Sequence, residues 1–210
     1  RGNPNLPGIK SKLRSIREKL ANRMLPAGVT FGPNRNDRVG ALHRAWGYVI
    51  TNQIRGGYYE FGVYRGDTFR ESYHIYQGYS MWVQNQLVSP ENWRREVANN
   101  YADFQHHFYA FDTFKGMPEN KEGNVPFAEG TFYCSLDEFT NLNESEGIFA
   151  GNQIQYLAGT FDDIKAQRSP ELDNMQPAAI VNLDCDLYAS AESALSLIQP
   201  KLVQGTVLLA

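Results

Sequence analysis

The 210-residue sequence has no run of about 18 apolar residues, so no transmembrane helix is written in it. Its first residues, RGNPNLPGIKSK, also lack the apolar stretch of a secretory signal peptide. Cysteine is scarce. Cys134 and Cys185 lie far apart and match neither a zinc nor a redox spacing, so they read as two reduced thiols of a cytoplasmic protein. Internal repeats, low-complexity tracts and a second-domain linker are missing too, and no G-x-G-x-x-G occurs.

What is present fits one globular domain of ordinary size. Apolar residues make up 42% and aromatics 13%, with 20 basic against 23 acidic side chains, which excludes a disordered, collagenous or disulfide-stapled chain. A chain of this length buries roughly 70% of its unfolded surface, enough for a core without metal or disulfide staples.

The net charge of −3 is unevenly spread. The first 50 residues hold ten Lys or Arg against two acids, leaving ten basic and 21 acidic residues for the rest. The excess centres on residues 8–25, where Ile9, Leu13, Ile16, Leu20 and Met24 recur at helical spacing among Lys10, Lys12, Arg14, Arg17, Lys19 and Arg23. The pattern predicts a basic helical extension over 1–50 that packs its stripe on the body or on a second subunit, making a homodimer. Without interleaved aromatics it is a poor nucleic-acid signature.

From residue 51 the pattern becomes strand, turn, helix. Expected strands are YYEFGV (58–63), HFYAFD (107–112), QIQYLAG (153–159), AAIVNLD (178–184) and TVLLA (206–210). Between them Phe69, Tyr73, Tyr76 and Val83 share a helical face, and Ser89-Pro90 looks like the start of a helix running to about Tyr101. A short helix is expected from Ser135 to Gly147, and Leu187, Ala191, Leu195, Ile198 and Leu202 form a last stripe that Pro200 disturbs. Residues 113–133 read as a loop, either a lid or an ordinary surface loop. Alternation of this kind predicts an α/β fold: a mostly parallel twisted sheet with helices on both faces.

Ligands of such sheets bind beyond the carboxyl ends of the strands. There the sequence places Glu60-Phe61-Gly62-Val63-Tyr64-Arg65-Gly66-Asp67-Thr68, Asp112-Thr113-Phe114, Gly159-Thr160-Phe161 and Asp184-Cys185-Asp186. These residue types suit a nucleoside with a polar tail. Gly62 and Gly66 remove Cβ atoms where a ligand approaches, the following helix N-terminus favours a carboxylate or phosphate, Thr68 adds a hydroxyl, and Asp112 can accept from a ribose diol. Gly62-x-x-x-Gly66 counts against a dinucleotide clamp. Asp184 and Asp186, two apart on an extended chain, point to one side and call for a cation or proton between them, and Mg²⁺ suits them. Alternatively, Asp186 or Ser190 caps the next helix.

YYEFGVYRGDTFRES, FYAFDTFKGMPE, YLAGTFDDI and IVNLDCDLYASAESALSLIQPKLVQGTVLL together resemble the macrocin O-methyltransferase family, from about residue 54 to the end. The first 50 residues and 80–105 carry no match. The resemblance implies a Rossmann-like methyltransferase fold over 51–210, S-adenosylmethionine as donor and a divalent metal, commonly Mg²⁺. It places Glu60, Phe61, Gly62, Tyr64 and Gly66 in the donor loop, Thr68 near the methionine carboxylate, Asp112 on the ribose, and Thr113 and Phe114 beside it. Gly159, Thr160 and Phe161 fall at the adenine, and Asp184 and Asp186 at the metal and the acceptor hydroxyl as catalytic groups. The acceptor it suggests is a small hydroxylated molecule, a sugar or glycosylated metabolite.

The chain departs from the family with Asp163-Ile164-Lys165 where a Thr-Leu-Pro is common. Its last residue falls where the family places further acidic ligands and two more strands, so the resemblance leads us to expect that the native chain continues with an acid. Two other classes stay open: a methyltransferase-like subunit without catalysis, and an NAD-linked oxidoreductase. His43, His74, His106 and His107 share no metal spacing and are expected as ordinary surface or core imidazoles.

Overall fold

The computed structural model describes residues 38–119, 127–167 and 170–210; the basic stripe of residues 8–25 lies outside them. Five strands, β1 (Gly57–Phe61), β2 (Phe108–Asp112), β3 (Ile154–Ala158), β4 (Ala178–Leu183) and β5 (Leu202–Leu209), form a wholly parallel sheet in the order β3-β2-β1-β4-β5. The chain winds outward from β1 to β3, then returns to β4 on the other side of β1. The topological switch point therefore lies between β1 and β4, where a crevice opens at the carboxyl ends of the strands.

Seven helices accompany the sheet among the described residues: α1 (Arg38–Thr51), α2 (Asp67–Gln86), α3 (Asn92–Tyr101), α4 (Leu136–Ser145), α5 (Phe161–Gln167), α6 (Pro170–Asn174) and α7 (Tyr188–Ile198). The two-residue period of the strands sorts the core. Tyr58, Phe108, Ala110 and Ile180 face Leu42, Trp46 and Val49 of α1 and Phe69 and Tyr76 of α2, whereas Tyr59, Phe61, Tyr109, Phe111 and Val181 face Phe161 and Ile164 of α5 and Ala194 and Ile198 of α7. Both faces are dense in rings: Trp46 sits 5.1 Å from Tyr76 and 5.6 Å from Phe108 between centroids, and Phe61 stacks on Phe111 at 4.5 Å.

The α/β architecture agrees with the sequence pattern, with local differences. Trp82 joins a separate cluster with Ile50, Val83, Ala98 and Tyr101 that fastens α3 to α1 and α2 rather than to the sheet. The helix expected from Ser89-Pro90 starts at Asn92, with Glu91 in the extended cap position. Of the stripe expected for the last helix, Leu187 and Ile198 are buried, whereas Leu195 is exposed with Ala194 buried beside it, and Leu202 is exposed and begins β5. Helix α1 carries its own apolar stripe, Leu42, Ala45, Trp46, Val49 and Ile50, and continues across residue 50 onto the body. Both cysteines are free thiols, and no helix among the described residues is long and apolar enough to cross a membrane.

Candidate functional site

A cavity of about 620 Å³ opens at the switch point, a size suited to a nucleotide-sized ligand. The turn after β1 forms its floor. Gly62 adopts a φ of 82°, and a Cβ there would lie 2.3 Å from the Asp184 carbonyl oxygen. Gly66 adopts 80°, and a Cβ there would meet the Phe139 ring at 2.6 Å. Both glycines are thus demanded by backbone conformation and by the protein's own packing, before any ligand is considered. Gly66 precedes α2 without a side-chain cap, so the first backbone N–H groups of this 20-residue helix lack an intrahelical partner.

Of the residues singled out in the sequence, Glu60, Gly62, Tyr64, Gly66, Thr68, Asp112, Thr113, Thr160, Phe161, Asp184 and Asp186 line this cavity. Three others do not. Phe61 points to the opposite face of the sheet from Glu60 and is fully buried against Phe111 and Phe161. Phe114, at a φ of 53°, turns its ring into the core beside Phe139. Gly159, at a φ of 146°, ends β3 over Ile164.

Asp112 was expected to receive a ribose. In the structure its carboxylate ties the loops together: Oδ2 accepts from the backbone N–H of Val63 (2.9 Å) and Tyr64 (3.0 Å), and Oδ1 from Phe114 (2.9 Å). Its first duty is to hold the β1 turn in its left-handed shape. Thr160 is likewise engaged as a helix cap, its Oγ1 accepting from the Asp163 N–H at 3.1 Å and donating to the Asp163 carboxylate at 2.7 Å.

The extended-chain argument for Asp184 and Asp186 does not hold, because β4 ends at Leu183 and Asp186 adopts a left-handed φ of 50°. Both carboxylates nevertheless line the cavity. The Asp186 carboxyl is pushed up, first by partial burial and then by the charge of Asp184. The cap position of α7 is taken by Leu187, not by Asp186 or Ser190, and its side chain makes no cap hydrogen bond.

Glu60, buried beneath the floor, receives a hydrogen bond from the Tyr58 hydroxyl. Its carboxyl is pushed up to about 8, first by burial and also by the charge of Asp184, against the opposing pull of Tyr58, Asn182 and Arg38.

Sequence reasoning missed Arg38, Met117, Phe132, Asp162 and Ser193, which also line the cavity. Arg38, the first residue of α1, donates through Nη1 to Thr68 Oγ1 at 2.7 Å and lies 3.4 Å from Asp184 Oδ2. The periodic Leu42-Trp46-Val49 pattern could have revealed its helix; nothing local to Arg38 marks it as a site residue.

As a metal site the residues fit in part. Asp184 and Asp186 supply the one or two hard oxygen ligands that a water-rich Mg²⁺ takes, and their mutual repulsion is what a cation relieves. No group of three or more His, Cys, Asp or Glu side chains is placed for a metal among the described residues.

The parallel sheet and its switch point define a Rossmann-like α/β fold. Among solved structures the chain is similar to the O-methyltransferase NovP, with a TM-score of 0.57 and 21% identity over 89% of this chain and 69% of that one. It is also similar to CalS11, a calicheamicin methyltransferase, with a TM-score of 0.58 and 16% identity over 98% of this chain and 78% of that one. An apo structure of CalS11, named there as a TDP-rhamnose 3'-O-methyltransferase of calicheamicin biosynthesis, gives a TM-score of only 0.44. No protein-family model and no curated protein matches the chain.

Proposed function

We propose that the protein is an S-adenosylmethionine-dependent O-methyltransferase acting on a hydroxyl of a small molecule. The observation that carries this reading is the acidic cavity at the β1/β4 switch point, lined by Asp162, Asp184 and Asp186 beside an uncapped helix N-terminus. Such a cavity suits a ligand that is cationic at its sulfonium and amino groups and anionic at one carboxylate. The fold shared with NovP and CalS11 adds to it.

When bound, the donor supplies an electrophilic methyl group on positive sulfur. The turn from Gly62 to Gly66 fixes the floor on which the donor would rest, and Thr68 with the α2 N–H groups offers partners for its carboxylate. Methyl transfer to oxygen requires the acceptor proton to leave as the new C–O bond forms and the old C–S bond gives its electrons to sulfur. Asp186, whose carboxyl is already raised, or Asp184 beside it, takes that proton. Asp184 and Asp186 are also the residues that would hold Mg²⁺, which when bound supplies Lewis acidity toward an acceptor hydroxyl. A sugar acceptor accords with the family resemblance.

The test is incubation of the full chain with methyl-labelled S-adenosylmethionine, Mg²⁺ and a panel of nucleotide sugars and glycosides. Label should appear in one acceptor class. Binding of S-adenosylhomocysteine without transfer to any acceptor would favour a binding subunit that has lost catalysis.

A further inference from the structure

Arg38 lies where the two halves of the proposed chemistry meet. Its guanidinium donates to Thr68 at the mouth of α2 and rests against Asp184, the carboxylate at the acceptor side. We propose that Arg38 exchanges partners: in the free protein it neutralises Asp184, and on donor binding it moves to the donor's carboxylate and leaves Asp184 free for a cation. This rests on the methyltransferase reading above.

Charge is the first reason. The cavity wall holds Asp162, Asp184 and Asp186, so an incoming carboxylate meets like charge unless a cation stands beside it. Arg65, the other guanidinium at the wall, is turned toward Glu138 at 3.5 Å. Arg38 is therefore the cation positioned at Thr68 among the described residues, next to the free N–H groups that open α2.

The second reason is that the present partnership is weak. The Arg38–Asp184 separation is 3.4 Å and the two side chains are 67% and 49% exposed, the regime in which ion pairs contribute little. A guanidinium gripping a carboxylate through two parallel hydrogen bonds, partly shielded by Thr68 and the helix end, is stronger. Exchange thus runs toward the donor, and it links the two ligands: a donor with a carboxylate vacates Asp184, and a nucleoside without one does not.

Calorimetry on the full chain distinguishes the outcomes, using S-adenosylhomocysteine and 5'-methylthioadenosine, which keeps the thioether nucleoside but lacks the amino-acid end. Arg38→Met should weaken S-adenosylhomocysteine roughly 10- to 100-fold, the range for hydrogen bonds to charged groups, and leave 5'-methylthioadenosine unchanged. Arg38→Lys should fall between. Mn²⁺ binding, followed by loss of the free-ion electron paramagnetic resonance signal, should tighten several-fold with S-adenosylhomocysteine in the wild type and not with 5'-methylthioadenosine. In Arg38→Met it should be tight without either.

Equal loss of both nucleosides in Arg38→Met, unchanged S-adenosylhomocysteine affinity, or Mn²⁺ binding in the wild type that is absent or indifferent to the nucleoside would each overturn the exchange while leaving the methyltransferase reading intact. Failure of the wild type to bind either nucleoside would remove both.

Discussion

The two ends of the parallel sheet are built on opposite terms. At the amino end the polar groups are paired with one another: His106 Nδ1 bonds the Gly56 carbonyl, the Tyr101 hydroxyl sits between the Ile54 carbonyl and His106 Nε2, Gln153 reaches the His106 carbonyl at 2.9 Å, and Gln176 joins His107 and Gln105. At the carboxyl end the chain takes left-handed turns at Gly62, Tyr64, Gly66, Phe114 and Asp186. There it also leaves α2 without a side-chain cap at Gly66. Non-glycine residues in that region cost on the order of 1–3 kcal/mol each, and such strain gathers at functional sites. The amino end holds the fold together, and the carboxyl end spends some of that stability on an open, charged cavity.

If that division is right, substitutions should separate activity from stability. Asp184→Asn should lower kcat roughly 100- to 10,000-fold, the worth of a general base, with the melting temperature unchanged, since the side chain is half exposed and only weakly paired. A clear fall in melting temperature would break the comparison. Trp46→Ala should do the reverse. It removes a fully buried ring packed on Tyr58, Tyr76 and Phe108 and should cost about 3–5 kcal/mol in denaturant unfolding, while the folded fraction still binds S-adenosylhomocysteine.

The amino end also has a pH signature. Burial pulls the His106 imidazole down from 6.5 to about 4. The folded state therefore resists a proton that the unfolded chain accepts, so its stabilising effect is full above pH 6.5 and is lost as pH falls through the window to about 4. The loss should be on the order of 3 kcal/mol. Unfolding measured at several pH values should show this slope in the wild type and not in His106→Gln. At the small end, Ser135→Ala removes the hydroxyl that accepts from the Glu138 N–H at 3.1 Å and should cost about 1 kcal/mol, checked by the same unfolding measurement.

The same division explains what could be read from the sequence. Strands β1 to β4 stand within a residue or two of their expected bounds, most clearly the buried β1, β2 and β4, whose continuous apolar runs tolerate little else, whereas β5 begins four residues earlier than expected, at Leu202, inside the stripe expected of the last helix. The cavity lies where those runs stop. Its side-chain directions do not follow from them. Phe61 and Glu60 are neighbours in the motif but face opposite sides of the sheet. Asp112 and Thr160 hold loops and a helix cap, and Asp186 is set by a left-handed turn that no spacing rule anticipates. Arg38 comes from 22 residues upstream of the motif that it serves, by way of a helix whose packing decides where its side chain ends.

The most direct test is a calorimetric titration of the protein with S-adenosylhomocysteine, run beside one with NAD. The account predicts saturable, one-to-one binding of the first and none of the second. Heat from NAD alone, or from neither, would contradict it.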